Sequence, residues 1–414
     1  MGNRDFIVGG VVQDDDYFFH QAYVGEMWDL LKKNNIILLS PRRTGKTSLM
    51  YRLIAEPQHN YKVVHFNVET LSSASDFFIH LLNTLYELHP EYWQKLSKSW
   101  NFLKNLVAKV EEVGVMSCKV KLRQNANWEK DWEKLSEELM KKIALLDDKL
   151  LFIIDEFPDM LSKMLQKDKE EAATFLHHFR KIRLDLKSTN IRWLVSGSVN
   201  IRGVLDEASL INTINDFQTE FLPNIKKKEA DDFICSMLNA RRVEFNQAIL
   251  QTIYDLLGEP MPYFVQLFTQ EIYRYWRREK GNISEIDTNE VIEIFNKSLL
   301  GEVAHDKLQH YHSRIKLYYP EQLQSIAYEI LDVLAKSNSG VSEKQLYSQY
   351  LQYQQDKGNY SQQNTANKIE MQRSFNALML RLDSDFYTYK NEDNIYDFKT
   401  HLIKLWWNKN WTQL

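Results

Sequence analysis

Residues 36–48 combine an apolar run, a short polar turn and the tripeptide Gly45-Lys46-Thr47. The run at residues 36–39 is long enough for a buried strand, and apolar residues at helical spacing follow from Leu49. A turn between a strand and a helix points main-chain N–H groups and a helix N-terminus at an anion. The segment therefore predicts a phosphate-binding loop, which belongs to α/β folds with a parallel sheet.

The loop residues have distinct expected roles. Lys46 is expected to bind the β- and γ-phosphates as a catalytic residue, and the Thr47 hydroxyl to bind Mg²⁺. Ser40 stands where the pattern G-x-x-x-x-G-K-[ST] has its first glycine, a mild departure because serine is small. A Gly-Lys-Thr tripeptide also arises by chance, so the prediction depends on the flanking strand and helix. The predicted nucleotide contacts are Ser40, Pro41, Arg42, Arg43, Thr44, Gly45, Lys46, Thr47 and Ser48.

A second apolar run, residues 150–154, ends in the adjacent carboxylates Asp155 and Glu156. Five consecutive apolar residues are typical of a strand buried on both faces of a parallel sheet. Ligands bind at the carboxyl ends of such strands. We expect Asp155 to hold Mg²⁺, directly or through water, and Glu156 to act as general base toward a water. Without the phosphate loop, a strand that merely ends in solvated acids would be the better interpretation.

A third strand is predicted at residues 191–195, followed by Ser196-Gly197-Ser198. In a sheet of this type, a side chain at the end of this strand can contact the γ-phosphate. Ser196 and Ser198 are both candidates, and we assign the catalytic contact to Ser198. An ordinary strand-to-loop turn remains the alternative for either serine.

Composition restricts the class of protein. The 414 residues suffice for two or three domains. A net charge of −4 argues against a basic nucleic-acid coat, although local patches could still bind DNA. We find no apolar stretch of membrane-spanning length and no signal peptide, and the two cysteines lack metal spacing. We therefore expect a cytoplasmic protein with no membrane association.

We predict four segments: an N-terminal segment at 1–35, an α/β core at 36–221, a helical domain at 222–317 and a winged-helix-like domain at 318–414. The core strands are expected at 36–39, 62–67, 150–154 and 191–195. A long insertion follows the second strand, with a helix at 75–88, an alternating run at 116–122 and a helix at 128–146. We interpret Trp128 and Trp132 as core residues.

The winged-helix prediction depends on helices at 321–336 and 368–382, a helix start capped by Ser342, and a terminal hairpin. Two alternating runs, 386–390 and 394–398, flank the turn at 391–393. Residues 320–414 contain 10 basic and 11 acidic residues, a net charge of −1. Since DNA-reading wings are usually more basic, a protein-contacting or autoinhibitory wing is favoured. The basic, aromatic stretch at 274–280 could contact phosphates, although a solvated helix end is the favoured interpretation.

Together these segments resemble the archaeal-type AAA+ ATPases, a family of P-loop NTPases related to STAND and origin-recognition proteins. Residues 40–49 resemble its Walker A loop, 152–157 its Walker B strand, and 194–198 its sensor-1 strand. Residues 262–267, which begin at Pro262, resemble its lid motif. Gly9-Gly10 and residues 16–19 resemble the segment before its Gly-Arg pair, where this chain has His20-Gln21.

The resemblance implies an AAA+-like core with a helical lid and a C-terminal winged helix-turn-helix. It also implies ATP and Mg²⁺ as ligands, Pro262 near the nucleotide, and an adenine covered by segment 1–35. Family members switch with nucleotide state and often form oligomers in which an arginine crosses the interface. Arg180, Arg183 and Arg202 are possible donors here, although a surface or structural role is the favoured interpretation for each.

Two functions follow. The first is an ATP-hydrolysing molecular switch that controls homo-oligomerisation or engagement of a protein effector. The second is an ATP-dependent DNA-binding regulator acting through its winged helix in replication, transposition or defence against mobile DNA. A small-molecule kinase with a phosphate-binding loop fits poorly, because such kinases are compact and need no separate lid and winged domain of this size.

Overall fold

The computed structural model describes residues 5–10, 16–99, 126–146, 148–197, 201–279, 284–358 and 365–412. Its internal contacts divide the chain into two units. The sheet unit consists of His20–Arg42 and Lys46–Leu222. The helical unit consists of Met1–Phe19, Arg43–Gly45 and Pro223–Leu414. The expected alternating run at 116–122 lies outside the described residues.

The sheet unit is built on five parallel strands in the order β2-β3-β4-β1-β5. Ile36 pairs with Leu194 between β1 and β4, and Asn67 pairs with Asp155 between β2 and β3. Because all strands run the same way, their carboxyl ends meet at one edge. The strands are β1 Asn35–Leu39, β2 Tyr61–Asn67, β3 Lys149–Asp155, β4 Ile191–Gly197 and β5 Phe217–Phe221.

Helices cover this sheet, and the side chains of Leu150–Ile154 in β3 are completely buried. An Asp168 cap begins one of the helices by accepting hydrogen bonds from two main-chain N–H groups. The helices are α1 Gln21–Leu31, α2 Lys46–Ala55, α3 Ala74–Leu88, α4 Pro90–Ser99, α5 Ala126–Ala144, α6 Phe157–Lys167, α7 Lys169–Asp185 and α8 Ile201–Glu207. A 3₁₀ turn, Ile211–Ile214, precedes β5.

Trp132 in α5 is buried, stacking on Phe78 and meeting His178 edge-on. This agrees with its interpretation as a core residue, whereas the side chain of Trp128 lies outside the described part of the chain. Ser136 Oγ lies 2.8 Å from His178 Nε2, and burial lowers the pKa of His178. Because Ser136 is fully buried, we interpret this serine–histidine pair as part of the core.

The helical unit begins with α9 Lys227–Ala240, α10 Ile249–Leu257, α11 Pro262–Glu279, α12 Thr288–Ile294, a π turn at Phe295–Leu299 and α13 Glu302–Tyr318. It continues with α14 Glu321–Lys336, β6 Val341–Ser342, α15 Glu343–Asp356, α16 Thr365–Ser384, β7 Thr388–Lys390, β8 Ile395–Phe398 and α17 His401–Trp411. None of the helices in the described ranges is long and apolar enough to cross a membrane.

The predicted hairpin is confirmed, because β7 and β8 pair antiparallel with Thr388 opposite Phe398. Strand β6 joins them in the order β6-β8-β7. Ser342 caps α15 in a reciprocal capping box with Gln345, as its position predicted. The elements that were not predicted include β5, α6, α7, α13 and α17. Buried side chains from Ile225 to Trp407 form one continuous cluster through the helical unit.

We predict that Gly197→Ala will destabilise the sheet unit. A Cβ at this position would lie 2.3 Å from Cδ of the Pro158 ring, which cannot rotate away. Overpacking of this kind costs about 1–3 kcal/mol, measurable as a fall in the free energy of unfolding in urea. The control is Gly25→Ala in α1, where a Cβ meets nothing within 4 Å. That variant should gain about 0.4–1 kcal/mol; equal losses in both would contradict the clash.

Candidate functional site

The loop between β1 and α2 contains two residues in the left-handed region, Arg43 with φ 76° and Gly45 with φ 95°. Glycine adopts this conformation without steric cost, whereas arginine does so rarely. Ser40 and Thr44 are buried, and Ser40 Oγ donates to the Pro41 carbonyl at 3.1 Å. The sharp turns in the loop allow α2 to start at Lys46, directly after the buried strand.

Lys46 links the loop to the end of β4. Its Nζ donates to the Gly197 carbonyl at 2.6 Å, and only 6% of the residue is exposed. Burying an ammonium group is costly unless it is paired with strong acceptors. A phosphate oxygen carries more negative charge than a carbonyl and accepts a stronger hydrogen bond. The site is therefore suited to bind an anion.

Asp155 and Ser196 meet at the carboxyl ends of β3 and β4. Ser196 Oγ donates to Asp155 Oδ1 at 2.6 Å, and the Glu156 main-chain N–H donates to the same oxygen at 3.0 Å. Asp155 is 5% exposed, so these two bonds stabilise a carboxylate that burial would otherwise disfavour. They also orient the carboxylate, which is what a metal ligand needs.

Glu156 follows Asp155 with φ 56° and is the residue before α6. Burial raises the pKa of its carboxyl to about 7, with Asp155 and Asp159 adding to the rise and Lys46 opposing it. A base with a pKa near the working pH transfers protons efficiently. The structure therefore places a carboxyl of raised pKa directly after the strand that ends in Asp155.

The oxygen donors in this region suit Mg²⁺. Thr47 lies at the start of α2, and Asp155 offers an oriented carboxylate. Mg²⁺ usually keeps several waters and binds one or two carboxylates together with phosphate oxygens. Groups of three or more acidic, histidine or cysteine side chains able to hold a metal are absent from the described residues. A magnesium site of the usual kind does not require one.

The other predicted residues fall into three groups. Pro41, Arg42, Thr44 and Ser48 lie in the loop or the first turn of α2, as the motif predicted. Ser198, which we assigned to the γ-phosphate, lies outside the described residues. Pro262 is the first residue of α11 in the helical unit, so its expected contact with nucleotide stays a prediction.

The three candidate arginines differ in their surroundings. Arg183 is buried and bonds both oxygens of Asp216, with Nε–Oδ2 and Nη2–Oδ1 distances of 2.8 Å each. Its Nη2 also donates to the Thr213 carbonyl at 2.7 Å, so Arg183 is a structural residue. Arg202 donates to Thr219 Oγ1 at 2.9 Å. Arg180 and Arg202 stay candidates for an interface.

Of the N-terminal segment, residues 5–10 and 16–19 belong to the helical unit, whereas α1 belongs to the sheet unit. Phe6 stacks on Tyr273 of α11 with ring centroids 6.0 Å apart, and Arg241 lies 4.4 Å from the Phe6 ring. Phe18 and Phe19 pack against Phe233 of α9. These contacts hold Phe6, Phe18 and Phe19 against the helices of the helical unit. The role of the N-terminal segment as an adenine cover stays a prediction.

Part of this site was not predicted from the sequence. Ser196 was a candidate for the γ-phosphate, but its hydroxyl binds Asp155, a partner 41 residues away. Asp159 was not noticed, although its spacing of three from Glu156 places it in the first turn of the helix that Glu156 precedes. The Gly197 carbonyl carries no side-chain signal, so no motif could have identified it as the Lys46 acceptor.

Solved structures of archaeal proteins resemble this chain. No family model and no curated protein matches the chain. Among solved structures, the Walker-type ATPase PABY2304 of Pyrococcus abyssi is 15% identical, with a TM-score of 0.62, covering 97% of this chain and 99% of that one. The ORC2 protein of Aeropyrum pernix, solved as ADPNP–ADP complexes, is 12% identical, with a TM-score of 0.55 and coverages of 95% and 96%.

The chain has the fold of these Walker-type ATPase and ORC2 structures. The predicted fold class is confirmed: an AAA+-like α/β core with a parallel sheet, a helical lid and a C-terminal winged helix-turn-helix. At 12–15% identity, the likeness shows the fold alone. A functional site in this fold must therefore be inferred from the residues described above.

We predict that Glu156 makes the free energy of unfolding depend on pH. Its folded pKa of about 7 exceeds the ordinary 4.5, so the folded state binds the proton more tightly. The stabilisation is complete below the unfolded pKa and is lost as pH rises toward 7. Relative to wild type, Glu156→Gln should therefore become more stable between pH 4.5 and 7, measured by urea unfolding.

Glu137→Gln provides the control of opposite sign. Hydrogen bonds from Lys141 and Lys181 lower the pKa of Glu137 to about 2. Its stabilisation is present above pH 4.5 and is lost only as pH falls toward 2, so this substitution should show no trend from pH 5 to 7. If the difference in unfolding free energy between wild type and Glu156→Gln did not change with pH over that range, a raised pKa of Glu156 would be contradicted.

Proposed function

We propose that this protein binds ATP with Mg²⁺, hydrolyses it, and uses its nucleotide state to control oligomerisation or partner engagement. One observation carries the proposal. The Lys46 ammonium meets the end of β4 beside a carboxylate, Asp155, that two hydrogen bonds orient, and a carboxyl of raised pKa follows directly. An anion-binding cation, a metal ligand and a base are the parts that phosphoryl transfer to water requires.

Binding begins with the loop Ser40–Ser48. Lys46 exchanges its carbonyl acceptor for phosphate oxygens, and the main-chain N–H groups at the start of α2 add partial positive charge. Thr47 and Asp155 would hold Mg²⁺, which neutralises the charge that develops on the phosphates. Ser196 maintains the orientation of Asp155 through its hydrogen bond.

Hydrolysis depends on Glu156. With a pKa near 7, its carboxylate accepts a proton from an attacking water and remains partly ionised at neutral pH. Ser198 would contact the γ-phosphate from the end of β4, and Pro262 would pack near the nucleotide. The solved structures support the proposal, since one is of a Walker-type ATPase and the other contains ADPNP and ADP.

The switch would act through the helical unit. The lid and the winged helix share one continuous core from Ile225 to Trp407. A displacement of the start of α11, at Pro262, would therefore be transmitted to the winged helix through packed side chains. The partner would be a second copy of this chain or a protein effector, and we place the reaction in the cytoplasm.

The alternative, an ATP-dependent DNA-binding regulator in replication, transposition or defence against mobile DNA, has support from α16. Lys368, Arg373 and Asn376 are exposed on this helix, and such side chains contact phosphates and base edges. The charges at the hairpin tip disfavour DNA binding, because Lys390 is followed by the acids Glu392 and Asp393. A charge-balanced wing fits a protein surface better than a phosphate backbone.

We predict that Lys46→Ala abolishes nucleotide binding, whereas Glu156→Gln binds ATP and hydrolyses it about 10²–10⁴-fold more slowly, the usual contribution of a general base. Isothermal calorimetry with Mg²⁺ and adenine nucleotides measures the first, and phosphate release the second. Lys32→Ala is the control, because Lys32 pairs with Asp29 at the surface. Unchanged turnover in Glu156→Gln would reject its role as the base.

A second measurement separates the two functions. ATPase rate is determined across a protein-concentration series, with and without duplex DNA at low salt. A molecular switch predicts stimulation that depends on protein concentration and is indifferent to DNA. Stimulation by DNA that weakens as salt rises would instead favour the DNA-binding regulator, because phosphate contacts are salt-sensitive. Arg373→Ala should then remove it.

A further inference from the structure

Arg43 and Tyr263 are joined by two contacts. The guanidinium carbon of Arg43 lies 4.2 Å from the centre of the Tyr263 ring, and the Tyr263 main-chain N–H donates to the Arg43 carbonyl at 3.3 Å. Both residues belong to the helical unit, where Tyr263 is the second residue of α11. A cation over an aromatic face and a main-chain hydrogen bond together fix both the side chain and the backbone of Arg43.

The backbone of Arg43 needs such support. Its φ of 76° is uncommon for a residue with a side chain, and such conformations persist where the surroundings hold them. Left-handed residues in a loop help successive main-chain N–H groups converge on an anion. The shape of residues 43–45, two of which are left-handed, is therefore the shape that phosphate binding requires.

The Tyr263 ring is held firmly enough to provide this support. The residue is 7% exposed, and Phe264 packs edge-on against it with ring centroids 5.3 Å apart. A Cβ on Gly9 would lie 3.7 Å from the Tyr263 ring and 3.9 Å from Arg43 Nη1, so the Gly9 backbone lies beside both. The Tyr263 hydroxyl has no hydrogen-bond partner among the described residues. The ring face, rather than the hydroxyl, makes the contact with Arg43.

We propose that Tyr263 is a positioning residue for the phosphate-binding loop: by holding Arg43, it keeps residues 43–45 in the conformation that binds phosphate. The proposal rests on the proposed function, because it assigns a regulator to the same anion site. Anything that moves the start of α11 would change the affinity of the loop for nucleotide. By reciprocity, nucleotide bound at the loop would stabilise that position of α11.

The chain offers a matched control on the same helix. Tyr273 also carries an arginine, Arg241, whose guanidinium carbon lies 5.6 Å from the ring centre. This second pair contacts Phe6 of the N-terminal segment, whereas the first pair includes Arg43 of the loop itself. Tyr263→Leu and Tyr273→Leu therefore remove the same kind of interaction from the same helix, and only the first removes it from the loop.

The first measurement uses no nucleotide. Trypsin cleaves after Arg42 and Arg43, and the rate at these bonds reports how often the loop leaves its ordered conformation. We expect cleavage to be several-fold faster in Tyr263→Leu than in wild type, and unchanged in Tyr273→Leu and Tyr263→Phe. Equal loop cleavage in Tyr263→Leu and Tyr273→Leu would overturn the proposal.

The second measurement is the dissociation constant for ATP with Mg²⁺. Tyr263→Leu should bind about 10-fold more weakly, corresponding to about 1.4 kcal/mol, whereas Tyr263→Phe and Tyr273→Leu should match wild type. In an Arg43→Gly background, where glycine adopts the left-handed conformation unaided, Tyr263→Leu should have no further effect. An equal effect in both backgrounds would assign Tyr263 to general lid stability and overturn its positioning role.

The outcomes distinguish this inference from the proposed function. If wild type fails to bind nucleotide, the proposed function is wrong, yet the trypsin result still decides whether Tyr263 orders the loop. If wild type binds and Lys46→Ala does not, the affinity of Tyr263→Leu decides the inference alone. Should Tyr263→Leu fail to fold, Arg43→Lys compared with Arg241→Lys replaces it, since lysine keeps the charge and loses the planar stack. Equal loop cleavage in these two variants would overturn the proposal.

Discussion

The parallel pairing of β4 with β1 and β3 determines where the charged groups of the site lie. Leu39 pairs with Gly197, and Ile154 pairs with Val195, so three strands end within one residue of each other. The loop after β1 then starts beside the end of β4, and the carboxylates after β3 lie on its other side. Lys46 reaches the Gly197 carbonyl and Ser196 reaches Asp155 because of this register. A shift of one residue would move every partner to the wrong face of the sheet.

Burial of charge explains the chemistry of the site. Lys46 and Asp155 are both more than nine-tenths buried, at positions where an isolated ion would be costly. Hydrogen bonds from Ser196 and the Glu156 main chain stabilise the Asp155 carboxylate. At Glu156, burial together with the neighbouring acids Asp155 and Asp159 outweighs the attraction of Lys46, and the pKa of its carboxyl rises. Two adjacent carboxyls thus acquire different properties from their surroundings, one suited to a metal and one to a proton.

The sequence predicts those parts of the fold that leave a local signal. Strands β1, β3 and β4 are apolar runs because both faces of the sheet are covered, and the hairpin alternates around a polar turn. Strand β5 was missed because it lies at the sheet edge, where Gln218, Thr219 and Glu220 are only partly buried. Helix α17 carries buried residues at helical spacing, but the sequence does not say which helices cover them. Pairings such as Ser196 with Asp155 depend on strand order, which no motif contains.

The winged helix and the lid are joined where α17 begins. Gly258, with φ +76°, ends α10 so close to this helix that an added Cβ would lie 2.8 Å from Cβ of His401. His401 Nδ1 lies 3.2 Å from the Leu256 carbonyl, and Thr400 Oγ1 lies 3.6 Å from Met261 Sδ. The turn between α10 and α11 therefore contacts the winged helix at one end and leads directly into Pro262 and Tyr263 at the other. Because packed side chains transmit displacement rather than absorb it, any displacement of Tyr263 would reach the winged helix through this turn.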